Sequence, residues 1–324
     1  MRVSFFGGGS DYPEVFQQLG GGRTLVGAIN RYCTITVRWL PPFFEHHSRV
    51  SWSEIELVKD NLEIRNPVVR EALCFLGIKE GVDIYYEGDM PARAGLGTSS
   101  AFTVGLLNAL YNLQGIPVTR ARLAKDAIRV ERDYIGDTVG FQDQIAVASG
   151  WLNLVDISAD GETRVVSCGG NMLDCGEQAL RDLAGHLLLL YVGGQRIASE
   201  VAKDQVALAA GKVRTYERMN AMTLEGVEAF EALEFDRIGE LLEEAWQLKR
   251  TLSPDISDGR LDSIHDEIIA RGATGAKLLG AGAGGFFLAY YKDGEVLSRL
   301  CSVPGVVPIQ FAFEPTGSRI IFKE

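Results

Sequence analysis

The stretch Pro91-Ala-Arg-Ala-Gly-Leu-Gly-Thr-Ser-Ser-Ala101 constrains this chain more than any other. Gly95 and Gly97 remove side chains where the backbone must turn sharply and come close to a ligand, and Thr98, Ser99 and Ser100 bring hydroxyls to the start of a helix. From Phe102 the apolar residues Leu106, Leu107, Leu110 and Leu113 recur at helical spacing until Gly115 and Pro117 close the element. A helix N-terminus behind a glycine-rich loop offers unpaired N–H groups and the positive end of a dipole, which suits the phosphates of a nucleotide. For the loop taken alone, an ordinary strand-to-helix turn capped by serines is an equal alternative.

Two further glycine clusters accompany it. Arg2-Val-Ser-Phe-Phe6 reads as a short buried strand broken by Gly7-Gly8-Gly9-Ser10-Asp11-Tyr12-Pro13. That strand begins at the initiator Met, so its first residues are expected to be missing. Asp11, on a tight loop, is a candidate to hydrogen-bond a polyol, the alternative being an Asp that caps the next turn. Lys277-Leu-Leu-Gly-Ala-Gly-Ala-Gly-Gly-Phe286 precedes a strand and opens no helix, so the dinucleotide-binding fingerprint does not apply. Between these clusters, Thr119 caps a helix running through Leu123, Ala127, Ile128 and Val130 to Glu131 and Tyr134. Its basic face (Arg120, Arg122, Lys125, Arg129) makes Glu131, read alone, a solvated ion-pairing residue. Asp143 sits between two amides, after a glycine and before a run of small residues. That is an odd place for a surface charge and a suitable one for a base.

The remaining pattern predicts strands over 25–28, 32–40, 50–58, 83–87, 151–157, 163–167, 186–192, 286–291, 306–313 and 318–322. Helices are predicted over 67–76, 199–210 and around 219–230, 238–246 and 261–268, the Met219, Met222, Val227, Phe230 stripe being core. Adjacent His46 and His47 point apart and suit a surface better than a metal site. At 324 residues the chain suits two domains, 1–175 and 176–324. A net charge of −11 argues against nucleic acid or an anionic membrane as partner, so an anionic substrate must be held by local cations. Arg93, Arg196 and Lys277 lie nearest the three loops in sequence. Five scattered cysteines read as reduced packing residues, and with no signal peptide and no apolar run of ~18 residues a cytoplasmic protein is expected.

Three such clusters in this order resemble the motifs of the GHMP kinases, the superfamily of galactokinase, homoserine kinase, mevalonate kinase and phosphomevalonate kinase. Phe-Phe-Gly-Gly-Gly-Ser-Asp-Tyr-Pro, Leu-Pro-Pro-Phe-Phe-Glu-His and Pro-Ala-Arg-Ala-Gly-Leu-Gly-Thr-Ser-Ser are most similar to the D-glycero-D-manno-heptose 7-phosphate kinases, which phosphorylate the anomeric hydroxyl of a sugar 7-phosphate with ATP. The resemblance implies an α+β, two-domain fold. A ribosomal-S5-like N-terminal domain with a left-handed βαβ unit would join a ferredoxin-like C-terminal domain, with the active site in the cleft between them. By position it implies Asp143 and Arg2 as catalytic residues and Glu131 and Ser99 as magnesium ligands. Arg93, Gly95, Leu96, Gly97, Thr98, Ser99 and Ser100 would bind ATP, and Gly8, Gly9, Ser10, Asp11, Arg196, Gly282 and Gly284 the sugar. Arg196 follows Gly193-Gly194-Gln195, a strand-to-helix position resembling the family's second-domain substrate segment; a capping or surface arginine is the alternative. Thr98 departs from the usual serine, and Ser149-Gly150-Trp151 stands where relatives often carry two glycines.

The implied chemistry is phosphoryl transfer with ATP and Mg²⁺ to a small-molecule sugar phosphate, a homodimer being the assembly to test. Asp143 would either take the hydroxyl proton or orient it. Two alternatives act on other substrates. One is a galactokinase-like sugar 1-kinase using an unphosphorylated sugar. The other is a serine hydrolase, since Gly97-Thr-Ser-Ser-Ala101 approaches the Gly-x-Ser-x-Gly elbow, though only His186 and His265 lie downstream as partners. A sensor that has lost catalysis is disfavoured by the joint presence of Asp143, Glu131 and Ser99.

Overall fold

The structure, a computed structural model, describes residues 1–168, 176–194 and 198–323; Arg196 and Cys175 lie outside them. Strand β1 (Arg2–Phe6) leads through the first glycine cluster to helix α1 (Pro13–Leu19) and returns as β2 (Gly21–Ala28). Then come β3 (Cys33–Trp39), β4 (Ser48–Ser51), β5 (Ile55–Val58), α2 (Pro67–Leu76) and β6 (Val82–Gly88). Helix α3 (Thr98–Leu113) follows, then α4 (Arg120–Arg129), α5 (Gln142–Ser149), β7 (Leu152–Ser158) and β8 (Thr163–Ser167). These strands make one antiparallel sheet in the order β1-β2-β7-β8 and a second in the order β3-β6-β4-β5, where β4 and β6 are parallel.

The later part runs α6 (Glu177–Ala184), β9 (Leu187–Gly193), α7 (Ala198–Leu208), α8 (Val213–Glu231), α9 (Phe235–Arg250) and α10 (Gly259–Ala270). It ends with β10 (Gly275–Leu278), β11 (Gly285–Tyr290), α11 (Gly294–Leu300) and β12 (Val307–Ile309), the strands forming an antiparallel sheet in the order β10-β11-β9-β12. The fold is α+β. Leu187 to Leu190 are wholly buried because helices cover this sheet, which is why the strand reads as an unbroken apolar run. Among the described residues no helix is long and apolar enough to cross a membrane.

Several expectations change. The single strand over 50–58 folds instead as a hairpin, β4 pairing β5 around a turn closed by Trp52 N–H to Glu54 O. The stretch around Asp143, for which no helix is expected, is α5; its small residues Ala146 and Ala148 are wholly buried. The last two strands shrink to β12 and a single bridge between Ile29 and Phe313, and 318–322 carries no strand. Cys33, Cys74 and Cys301 are free thiols, whereas Cys168 is disulfide-bonded, against the expectation of reduced cysteines throughout.

Helix α8 of the later part packs against β1 and β2 of the first sheet. Its Met219, Met222, Val227 and Phe230 are buried as the stripe requires. Gly226 lets it come close, because a Cβ there would lie 2.4 Å from Phe6 Cε2 on β1. Gly226→Ala gains helix propensity but overpacks this contact, so a net loss of about 1–2 kcal/mol is expected in urea unfolding; an unchanged midpoint would show that α8 does not seat on β1 in this way.

Candidate active site

The second glycine cluster, Pro91 to Ala101, is set by two left-handed glycines, Gly95 (φ 84°) and Gly97 (φ 67°), the second being the N-cap of α3. No side chain caps that helix, so the dipole end and its first-turn N–H groups face the loop. Arg93 is exposed, also left-handed (φ 60°), and its N–H donates to Thr98 Oγ1 at 3.3 Å.

Asp143 lies in the first turn of α5 and is gripped by Arg2. Arg2 Nε donates to Oδ1 at 2.7 Å and a terminal nitrogen donates to Oδ2 at 2.6 Å, a bidentate pair. The other terminal nitrogen donates to Gly95 O, and the Arg2 backbone N–H donates to Leu96 O. The Arg2 side chain is 6% exposed and that of Asp143 23%, so the carboxylate is the accessible half of the pair. Gly97 makes room for both: a Cβ there would sit 3.0 Å from Arg2 Cγ and 3.2 Å from Asp143 Oδ2.

Asp11 is buried beneath this pair. Its carboxylate accepts from Gly9 N–H (2.9 Å), Gln142 N–H (3.1 Å) and Gln142 Nε2 (3.2 Å), so it holds the first glycine cluster against the start of α5. Burial pushes its pKa up, the hydrogen bonds oppose this, and Asp143 adds to the rise. Gly140 is needed for its seat, since a Cβ would lie 2.0 Å from Asp11 Oδ2.

Glu131 is buried, not a surface residue. It occupies a π-helical turn, Val130–Tyr134, that continues α4, a distortion often found at functional positions. Its Oε2 accepts from Ser100 Oγ (3.1 Å) and Gln144 Nε2 (2.7 Å), while Oε1 has no partner. Burial pushes its pKa up to about 7, the nearby Thr103 hydroxyl, Gln144 and Ser100 opposing and Asp143 adding to the shift, though the Thr103 hydroxyl itself donates to Ser99 O at 3.2 Å. Ser99, expected beside Glu131, is exposed, and the structure brings Ser100 there instead. An unpartnered carboxylate oxygen beside a hydroxyl fits a hard cation. Among the described residues no group of three or more His, Cys, Asp or Glu could hold a metal.

The third glycine cluster packs on the loop before α3 through bare backbone. A Cβ on Gly280 would lie 2.6 Å from Gly95 Cα, and one on Gly285 2.2 Å from Ala94 O. Gly282 and Gly284, expected against a sugar, instead face Ile256 Cα and Gly193 O at Cβ distances of 2.8 and 2.7 Å. Lys277, read as a cation for the substrate, is buried and donates to Ser4 O (3.0 Å) and Phe5 O (2.6 Å), carbonyls freed by a bulge in β1. Gly8 is the partly exposed member of its loop; Ser10 is buried, its hydroxyl donating to Gly7 O at 2.8 Å. Sequence reasoning missed Gln142 and Gln144, and Tyr216 on α8, which packs against Gly9; Ser100, expected at the nucleotide, is the hydroxyl that meets Glu131.

The N-terminal-domain model of the GHMP kinases matches residues 63–150 and their C-terminal model residues 227–303. The D-glycero-alpha-D-manno-heptose 7-phosphate kinase of Campylobacter jejuni is 28% identical over 235 residues, covering 71% of this chain and 67% of that protein. A galactokinase of Pyrococcus furiosus is 30% identical over 260 residues, 74% and 70% of the two chains. Among solved structures, a D-glycero-D-manno-heptose 1-phosphate kinase from Bacteriodes thetaiotaomicron superposes with a TM-score of 0.79 at 20% identity, covering 100% of this chain and 98% of that one.

Glu131 yields a pH signature. Its folded pKa of about 7 exceeds the ordinary 4.5, so the folded chain keeps a proton that the unfolded chain releases. The stability this proton brings is full below pH 4.5 and is lost as pH rises through about 7. Glu131→Gln, neutral at every pH, should gain on the parent by about 2–3 kcal/mol between pH 4.5 and 8 in metal-free urea unfolding. A difference that does not change with pH would mean Glu131 titrates normally.

Proposed function

The chain belongs to the GHMP kinases, ATP-dependent phosphotransferases with alcohol acceptors, and on that premise we propose that it phosphorylates the anomeric hydroxyl of a heptose 7-phosphate to give the 1,7-bisphosphate. The observation that carries the reading is one accessible carboxylate, Asp143, locked by Arg2 beside the uncapped start of α3. Phosphoryl transfer needs positioning and charge neutralisation more than covalent help, and this arrangement supplies both.

In this scheme the loop from Arg93 to Ser100 cradles the nucleotide phosphates with N–H groups and hydroxyls. Asp143 takes the acceptor's anomeric proton or holds that hydroxyl in line, and Arg2 fixes the carboxylate's orientation while placing positive charge beside the reacting oxygens. Glu131, through its unpartnered Oε1, and Ser100 fit magnesium, which when bound with ATP neutralises phosphate charge. The sugar approaches over Gly8 and Gly9, and Arg196, outside the described residues, is assigned to the distal phosphate from its place after Gly193-Gly194-Gln195. We place the cleft between an N-terminal domain, 1–175, and a C-terminal domain, 176–324. The 30% identity to a galactokinase favours one alternative, a sugar 1-kinase acting on unphosphorylated sugar.

Two outcomes are expected. In a coupled assay of ADP release across heptose and hexose phosphates, free sugars, homoserine and mevalonate, D-glycero-D-manno-heptose 7-phosphate should give the highest kcat/KM; preference for a free sugar transfers the assignment to the galactokinase-like alternative. Asp143→Asn should keep fold and ATP binding while kcat drops by about 10²-fold or more. Retention of a tenth of the parent's turnover would remove Asp143 from the transfer step.

A further inference from the structure

Three buried polar atoms converge on the first glycine cluster without a partner: Ser4 Oγ on β1, Gln142 Oε1 on α5 and the Tyr216 hydroxyl on α8. Buried hydroxyls and amides in folded proteins nearly always find a hydrogen bond, so three orphans around one loop call for a guest. Gln142 cannot turn its carbonyl elsewhere, because its Nε2 is committed to Asp11.

The loop keeps this spot open. Gly8 does not have a left-handed φ, so its backbone conformation would accept a side chain. Space is what opposes one: a Cβ on Gly8 would lie 2.9 Å from Ser4 Oγ, 3.2 Å from Gln142 Nε2 and 3.8 Å from Gln142 Oε1, so it would displace the very groups left without a partner. Gly8 is also partly exposed while Gly7, Gly9 and Ser10 are buried, so the opening in the loop lies over these atoms. At the next residue a Cβ on Gly9 would meet Tyr216 Cε1 at 3.2 Å and its hydroxyl at 3.8 Å.

We infer that Ser4, Gln142 and Tyr216 form a hydroxyl-reading subsite behind Gly8 and Gly9 that selects the acceptor by a ring diol and not by its phosphate. The chemistry follows from the donor set. The two hydroxyls can each donate and accept and the amide carbonyl accepts, which matches vicinal alcohols, whereas a phosphate would face the carboxylates of Asp11 and Asp143. The phosphate-bearing end of the sugar therefore points away from α8. This rests on the sugar-kinase reading above and names which part of the acceptor the site recognises.

The test is steady-state kinetics of Tyr216→Phe and Gly8→Ala, with thermal unfolding of the free enzymes. Tyr216→Phe should raise KM for the acceptor about tenfold or more, the loss of one hydrogen bond to a buried hydroxyl, with KM for ATP changed less than about twofold and no lowered unfolding midpoint. Gly8→Ala, which fills the opening, should weaken the acceptor at least as much. Unchanged acceptor KM in both variants, as for atoms that only hold a buried water, overturns the inference, as does an equal rise of both KM values with a lowered midpoint. The acceptor used is whichever one the parent enzyme turns over best. Failure of the heptose reading thus shows in the parent's substrate profile, and failure of the subsite in the variants.

Discussion

Everything around the candidate site hangs on a seam where two stretches of backbone meet with no side chain between them. Gly95 and Gly280 approach so closely that a Cβ on either would fall 2.6 Å from an atom of the other stretch, and Gly285 meets Ala94 O in the same way. A glycine-rich turn has few internal hydrogen bonds to hold its shape, so it must be held from outside. Here the third glycine cluster does so, carried on the β10 and β11 strands of the later sheet. Side chains at these positions would push the loop off its support before they touched any ligand. The third cluster is therefore a brace, which explains why it opens no helix of its own.

Arg2 joins that brace to the chemistry. One guanidinium bonds Asp143 twice and Gly95 O once, while the backbone of the same residue bonds Leu96. Asp11 repeats the device one layer lower, binding the first glycine cluster and the N-terminus of α5. A carboxylate accepting N–H bonds at a helix start is stabilised by the helix dipole, so Asp11 anchors α5 and with it the position of Asp143. Rigid support of this kind is what a reaction dominated by positioning requires. It also explains why so short a helix holds its register.

The glycine clusters were legible because their requirement is local: left-handed φ at Gly95 and Gly97 follows from the turn itself. Asp143 was legible from its improbable neighbours. Which serine meets Glu131 was not, because successive helical residues point about 100° apart and the sequence does not state where α3 begins. A start at Thr98 turns Ser100 inward and leaves Ser99 exposed. Glu131 looked like a surface residue because α4 is basic; the π-helical turn that buries it has no sequence marker. Tyr216 was hidden for another reason: α8 lies far along the chain, and only tertiary packing through Gly226 and Phe6 brings it over Gly9. Lys277 was misplaced because its proximity to a loop in sequence says nothing of which way β10 faces.

The electrostatics resolve an apparent conflict between an acidic chain and a polyanionic ligand. A net charge of −11 resides mostly on solvated carboxylates, whose fields are screened over about 8 Å at physiological ionic strength. The groups behind the loop are buried and escape that screening. Lys249 donates to Leu278 O and Gly280 O, Lys277 to Ser4 O and Phe5 O, and among the described residues neither has a carboxylate partner. Burial and then the charge of Arg2 pull Lys277 down to about 7, and burial with the charges of Lys277 and Arg2 pulls Lys249 well below its ordinary 10.5, so neither behaves as a full surface ammonium. The positive field at the loop then comes chiefly from Arg2 and from the N–H groups of α3, both fixed in direction. Net charge thus informs on macromolecular partners, whereas oriented dipoles and one paired guanidinium determine what the cleft accepts.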